Sequence, residues 1–476
     1  MEILLIPCLF ALIALVVPSN FMRQFSLAGG IVSLVVTLAH AASFNTSKFV
    51  SIVPSFLHNL GFTSKMGYDG MSLFMIILTN VITLLIILSN YNRELSLNKT
   101  FTSLLFFMQL GLLGVFSSFD GLLFYIFWEI TLIPVFLIAF WFGAQGNKAA
   151  LMKFFIYTFV GSLAMLLSLL GIKSYAASFS HADLMAVQLT AKTAFWIFGG
   201  FFIAFAIKIP LFPFHTWQPN TYTTSPMAGT MLLSALMLKM ALYGMIRWMI
   251  PLAPEALDAM TYPIVVLGII GVIYAGVLAI KQNDIKRLFA FASISHVGLI
   301  AAGAVLISHD NWSAVFIQMG NHSMVAVGLF LAAEIIEQRL GTRSLTDLGG
   351  IAKVAPKFAF MFGVIVLGSI SVPLSSGFIG EFMLLKGVFS YNSLIGIIAG
   401  TTLIVGAAYT LRAYQLSMYG APKAAPFADL TWNEWLAFFI ISLCIVSFGV
   451  CPQTIINFVG PSVDTLIESV NNTLVK

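Results

Sequence analysis

Apolar runs of about twenty residues, separated by short polar or charged connections, recur along the whole chain. At 1.5 Å of rise per residue, a helix of that length crosses the hydrocarbon of a bilayer. The pattern predicts 14 helical spans, near 3–19, 25–44, 70–90, 101–118, 121–142, 151–173, 193–222, 227–250, 262–281, 286–308, 311–335, 356–390, 392–418 and 433–452. The seventh and twelfth are too long for one straight crossing, and each carries its own interruption. In the seventh, IAFAIKIPLFPFHTWQP, Pro210 and Pro213 lack an N–H and clash with the carbonyls four residues back. The carbonyls of Ala206 and Ile209 are expected to lose their helical partners. In the twelfth, SISVPLSSGFIGEFMLLKG, the interruption comes from Pro373, Ser375, Ser376, Gly377 and Gly380. Interrupted helices at membrane depth are tolerated only where they are buried in protein or line water.

The order of the spans holds a faint symmetry. Spans four to eight (96–250) contain a broken fourth member, and so do spans nine to thirteen (262–418). Five is an odd number, so the second unit runs inverted relative to the first, a transporter signature. Three spans precede the repeats (1–95), and the last helix with a C-terminal tail follows (433–476). The expected fold is a single all-α polytopic membrane domain over 1–476, with two inverted five-helix repeats. None of the longer connections, 45–69, 174–192, 336–355 and 419–432, reads as a soluble domain. Segment 174–192 mixes apolar residues with His181, Asp183 and Lys192 and is expected to lie on the surface as an amphipathic piece.

Composition agrees: of 476 residues 59% are hydrophobic and 9% charged, where soluble domains carry about 25% charged residues. The net charge of +5 does not point to nucleic acid, because most basic residues sit in short loops. Their distribution gives an orientation instead. Connections after odd-numbered spans and the adjoining helix ends hold 14 Lys and Arg, including Lys423, and the opposite side holds 7, including Lys48 and Lys476. The odd connections are therefore expected in the cytoplasm and both termini outside. Cys8, Cys444 and Cys451 form no CxxC pair, and neither GxGxxG nor a P-loop occurs. That argues against an iron–sulfur cluster, structural zinc or nucleotide site in this chain. Met1-Glu2 lacks a basic lead-in, so the first run reads as a span and not as a cleaved signal.

Charges inside apolar spans are costly and default to function. Glu129 lies in FYIFWEITLIPVFLIAFW, Lys208 at the end of the first half of the broken seventh span, and Lys239 in the middle of the eighth. Lys208 faces the negative end of a helix dipole, and Glu381 lies near the positive end of the second half of the twelfth span, where Ser375 or Ser376 can cap it. A buried Glu129–Lys208 pair is expected, with the two lysines as proton carriers. Against this stand structural alternatives: a helix-packing ion pair, a snorkelling Lys239, or a Glu381 that only stabilises a helix end. His296 and His322 are mid-span and His215 follows the break. Each suits proton relay, and each equally suits a hydrogen-bonded core histidine.

These residues carry a resemblance. FWEITLIP, IKIPLFPFHTWQP, LMLKMALYGMIRW, NDIKRLFAFASISHVG and GFIGEFMLLKG resemble the antiporter-like membrane subunits of respiratory complex I, the proton-translocating NADH:quinone oxidoreductase, over essentially the full length. The resemblance implies Glu129 as the charge-pairing glutamate, Lys208 as the pumping lysine, Lys239 as the connecting lysine, His296 and His322 on a hydrated axis, and Glu381 as the exit-side carboxylate. L-like and N-like members carry lysine where Glu381 stands, and L-like members extend into a long lateral helix, so the chain looks M-like. The family motif Leu-Pro-Asp-Ala-His is replaced by Gln218-Pro219-Asn220-Thr221-Tyr222, and no proton role passes to Asn220 or Tyr222 by resemblance. The same resemblance implies partners in the membrane arm (L-like and N-like subunits), NADH, FMN, iron–sulfur clusters and quinone in partner subunits with no cofactor here, and a bacterial inner membrane. A multisubunit cation/proton antiporter, a membrane-bound hydrogenase and a purely structural spacer are the alternatives. The orientation has a direct check: in intact cells an impermeant thiol reagent is expected to reach a cysteine at position 2 and not one at 95 or 345.

Overall fold

The computed structural model describes residues 1–46, 49–52, 65–144, 147–421 and 427–475. Lys48, Lys423 and Lys476, which entered the charge asymmetry, lie outside the described residues. Among the described residues, twelve helices are long and apolar enough to cross a membrane by themselves. The shorter helix Glu2–Ile13 and the paired helices Pro356–Ser369 and Ser376–Tyr391 bring the crossings to the expected fourteen. The first crossing is shorter than its apolar run, because the helix ends well before Pro18.

Side-chain caps fix where many spans begin. Asp69, Asn98, Asp120, Asn147, Asp284, Ser308 and Asn392 each accept a backbone N–H from the first turn that follows. A free helix N-terminus leaves its first N–H groups without partners, and these oxygens satisfy one or two of them. Thr431 and Glu434 form a reciprocal capping box at the last span. Glu434 also takes the Arg339 guanidinium at 2.6 Å, tying the start of that span to the far end of the eleventh.

The bundle has a protein-facing middle and a lipid-facing skin. The eighth span, Met227–Leu252, and the eleventh, His309–Leu340, are fully enclosed over their apolar windows. The tenth, Ile285–Ala304, is nearly so. Outer spans such as Ser393–Met418 present residues like Ile397 and Ile404 outward. The eighth span is also irregular. Two π-helical turns, Leu233–Met237 and Met245–Met249, flank the α-helical stretch that holds Lys239, an arrangement often associated with functional positions in helices.

Several expectations need correction. Ala206 does not lose its carbonyl partner: Leu211 N–H donates to it at 2.8 Å, and the Trp217 indole N–H donates to the Ile207 carbonyl at 2.8 Å. The break is thus closed by a wider turn and one side chain. Segment 174–192 holds only a five-residue helix, His181–Met185, and His181 is buried. The segment otherwise keeps the expected surface position, with only Ser180, His181 and Leu184 turned inward and the remaining residues partly or fully exposed. The region after the last span is not a tail but a 23-residue helix, Gln453–Val475, docked by Ser462, whose hydroxyl accepts the Gly70 N–H at 2.8 Å. Leu345 is fully buried, so a labelling cysteine belongs at the exposed neighbour Thr346.

Inside the twelfth crossing the chain turns between Ser369 and Ser376, and Ser371 and Leu374 adopt left-handed backbone conformations. Gly377 lets the second half approach: a Cβ there would stand 2.7 Å from the Gly368 carbonyl oxygen and 2.8 Å from Asn321 Nδ2. Backbone cannot yield cheaply, so Gly377→Ala is expected to cost about 1–3 kcal/mol and to lower the melting temperature of the detergent-solubilised protein. Gly400, with nothing within 4 Å of its Cβ position, is the control, and Gly400→Ala is expected to leave the melting temperature unchanged or raise it.

Candidate functional site: a buried polar axis

The first half of the broken seventh span, Ala191–Lys208, delivers Lys208 at its last residue. The side chain is buried, with Nζ 5.4 Å from the centre of the Trp128 ring. A ring face attracts a cation whose hydration has been removed, so Trp128 gives the buried Lys208 side chain a neutral partner. Glu129 is adjacent in sequence, yet it makes no contact ion pair with Lys208. The expected buried pair is thus a separated one in this structure. The Tyr125 and Ser162 side chains lie beside the carboxylate, and Glu129 Oε1 is buried without a hydrogen-bond partner among the described residues. The two groups lie near enough to influence each other and stand apart without a contact ion pair.

Lys239 is fully enclosed. Its ammonium donates to the Ser234 carbonyl at 2.8 Å, within the first π-helical turn, and to His322 Nδ1 at 2.6 Å. Because Nδ1 accepts, Nε2 carries the hydrogen and donates to Ser293 Oγ at 3.1 Å. His296 lies on the tenth span, its ring centre 6.3 Å from that of His322. Its Nδ1–H donates to Glu381 Oε1 at 2.8 Å, and its Nε2 accepts from the Tyr409 hydroxyl at 3.3 Å. Glu381 itself is 3% exposed and also receives Gln318 Nε2 at 3.4 Å. Ser375 caps the helix that presents it, through the Phe378 N–H.

Between the two histidines is a cavity of about 20 Å³ lined by Ser293, His296, His322 and Ser369 among others. That is room for one water, with polar groups on several sides. The structure therefore brings together Lys239, His322, His296 and Glu381 in a nearly continuous series. It leaves His215 apart: His215 lies in an aromatic cage of Phe212 and Tyr274, beside Lys153 and Thr216, at the opposite edge of the break. Trp128, Ser234, Ser293, Gln318 and Tyr409 were missed by sequence reasoning. Their only signal was position, such as Ser293 three residues before His296 in FASISH.

A membrane bundle with two interrupted helices and a line of enclosed titratable groups across its middle defines an ion-translocating subunit of the antiporter-like class. The chain belongs to the NADH:quinone oxidoreductase/Mrp antiporter transmembrane family, whose model matches residues 118–405. It is 33% identical over 444 residues to NADH-quinone oxidoreductase subunit M of Rickettsia typhi, covering 92% of this chain and 89% of the relative. Among solved structures it is similar to a chain of respiratory complex I from Thermus thermophilus with bound NADH, at 28% identity and a TM-score of 0.90, covering 98% of this chain and 99% of that one. It shares the fold of a chain in the Mrp complex of a Dietzia species, at 18% identity and a TM-score of 0.86 over 98% and 99% of the two chains.

Beside the axis, outside the spans, His181 Nε2–H donates to the Arg247 carbonyl at 2.7 Å. Burial, with the nearby Arg247 charge, pushes the His181 pKa down to about 4, against the opposing effects of the hydrogen bond to the Arg247 carbonyl and of the Asp69 charge. The folded pKa lies below the unfolded one, so this group's stabilisation is complete above about pH 6.5 and is lost as pH falls towards 4. The loss is on the order of 3 kcal/mol. His181→Gln keeps a donor and cannot charge. Melting curves of the solubilised protein between pH 7 and pH 4 are expected to fall less steeply for the variant than for the wild type.

Proposed function

We propose that this chain is an M-like proton-translocating membrane subunit of an NADH:quinone oxidoreductase. NADH oxidation, FMN, iron–sulfur clusters and quinone belong to partner subunits, and no redox centre is assigned to this chain. L-like and N-like antiporter-like subunits are its neighbours in the membrane arm. The membrane is a bacterial inner membrane, with both termini outside. The observation that carries this reading is the bonded series Lys239–His322 and His296–Glu381, with a one-water cavity lined by both histidines.

Such a series moves protons by exchange. A proton passed from Lys239 to His322 Nδ1 makes an imidazolium, which can release its other N–H proton. His296 and Glu381 then form the outer pair. Moving one charge against 100 mV costs about 2.3 kcal/mol, so a passive wire would discharge the membrane. Lys208 supplies the switch: away from Glu129 over the Trp128 ring its ammonium is weakly held, and close to Glu129 it is strongly held. Movement between these arrangements, driven by neighbouring subunits, alternately loads and unloads the axis. A cation/proton antiporter subunit is the second reading, favoured by the shared fold with the Mrp chain. A spacer role is separated from both by mutation.

Lys208→Met is expected to assemble and to lose most quinone reductase and pumping activity. Near-normal pumping by an assembled variant refutes the carrier role. Glu381→Gln retains an oxygen for His296 but carries no proton, whereas Glu381→Asp retains the acid. In sealed vesicles, protons moved per NADH oxidised are expected to fall strongly for Gln and little for Asp. The reverse order makes Glu381 structural.

A further inference from the structure

Polar groups also follow Lys239 along its own helix. Tyr243 lies one turn further on in the same α-helical stretch, and Arg247 lies another turn beyond, in the second π-helical turn. The three stand close to one face of the eighth span. Tyr243 and Arg247 are both buried. The Tyr243 hydroxyl meets Ser72 Oγ at 2.9 Å and the Phe116 carbonyl at 3.4 Å, and it accepts the Arg247 Nε–H at 3.3 Å. The guanidinium pairs with Asp69, the cap of the third span, and lies 4.9 Å from the centre of the Phe119 ring. Beyond the pair is a cavity of about 530 Å³, lined by Lys65, Asp69, Ser180, His181, Arg247 and Thr465 among others. It opens on the face that the proposed orientation puts outside.

Hydroxyl groups that lead from an outer cavity to within one turn of the central lysine are a hazard. Under a proton gradient, outside protons would load Lys239 from behind and bypass Glu381. A serine or tyrosine hydroxyl passes a proton because its oxygen accepts one as it gives one up. A guanidinium has five N–H donors, no acceptor and a permanent charge, so no proton can land on it. Its Nε–H also occupies the Tyr243 oxygen that a proton from the cavity would have to reach. Asp69 does not cancel this. It is the more exposed partner, its side chain 14% exposed against 5% for Arg247, so the pair turns its negative end towards water and its positive end towards Tyr243. We propose that Arg247 is a proton stop: with Asp69 it seals Tyr243 and Ser72 from the outer cavity and confines the discharge of Lys239 to the Glu381 route. The inference rests on the proposed proton-translocating function. The physical device is the one by which a pore arginine excludes protons.

The test uses the assembled complex in sealed vesicles. It reads the decay of an imposed pH gradient without NADH, then the protons moved per NADH oxidised. Arg247→Gln combined with Asp69→Asn removes both charges together, so no buried carboxylate is left unpaired, and lets cavity water approach the Tyr243 hydroxyl. The gradient is expected to decay about tenfold faster than in the wild type. Protons moved per NADH are expected to fall while NADH oxidation continues. Adding Tyr243→Phe to this variant removes the exchanging hydroxyl and is expected to restore most of the tightness. A merely loosened fold leaks with or without that hydroxyl. A gradient as durable as the wild type's, a leak that survives Tyr243→Phe, or failure of the double variant to assemble each overturns the inference. Lys208→Met, run in parallel, separates the cases. If it stops pumping while the Arg247 variant stays tight, only the proton stop fails; if it pumps normally, the proton-translocating reading itself fails.

Discussion

An ammonium group held away from bulk water constrains everything around it. Lys239 is enclosed on an eighth span that touches protein on every side. In hydrocarbon it would cost several kcal/mol, so the fold supplies a carbonyl and an imidazole at bonding distance. The carbonyl comes from a π-helical turn and the imidazole from the eleventh span, which must therefore be long, buried and pressed against the eighth. Once His322 is committed to Lys239, its other nitrogen needs an acceptor, and Ser293 places the tenth span. The packing of the three central helices is thus set by polar bonds as much as by apolar surface.

The two interrupted spans answer the same constraint in opposite senses. The seventh presents a cation at a C-terminal helix end, and the twelfth presents a carboxylate close to an N-terminal one, each in the local field that suits it. Each interruption recovers part of its backbone bonding. Leu211 and Trp217 take the carbonyls opened in the seventh. Ser375 caps the restart in the twelfth, and Ser376 donates to Asn321 Oδ1 at 2.9 Å. A break that is satisfied in this way can be a fixed platform for a moving charge.

Much of this was legible in the sequence because a charge in an apolar run is conspicuous. Glu129, Lys208, Lys239 and Glu381 stand out by hydropathy alone, and the crossings follow from run length. What was not legible involves groups whose type is ordinary for a core. Trp128 reads as packing, Ser234 and Ser293 as small helix residues, and nothing in LLSALMLK announces a π-helical turn. For the Glu129–Lys208 pair, sequence suggests partners of opposite charge but not the rotamer that sends an ammonium to an indole. His215 was grouped with the other histidines by residue type, and its Phe212–Tyr274 cage is a tertiary fact. The helix Gln453–Val475 was hidden because its exposed polar face lowers its hydropathy below that of a span, while Ile455, Val459, Val463, Leu466 and Val470 dock inward beside Ser462.

The enclosure of the eighth, tenth and eleventh spans also bears on how the chain is made. Ribosomes deliver helices one after another, and each must wait in the bilayer until its neighbours arrive. Outer spans such as Lys148–Lys173 are mostly exposed in the finished protein, so waiting in lipid changes little for them. The eighth span emerges with Lys239 long before His322 on the eleventh exists to meet it. Through that interval its ammonium must be shielded by something other than its final partner: by the earlier spans, by water drawn into the membrane, or by an insertion factor. Biogenesis of this chain is therefore most vulnerable between the eighth and eleventh helices.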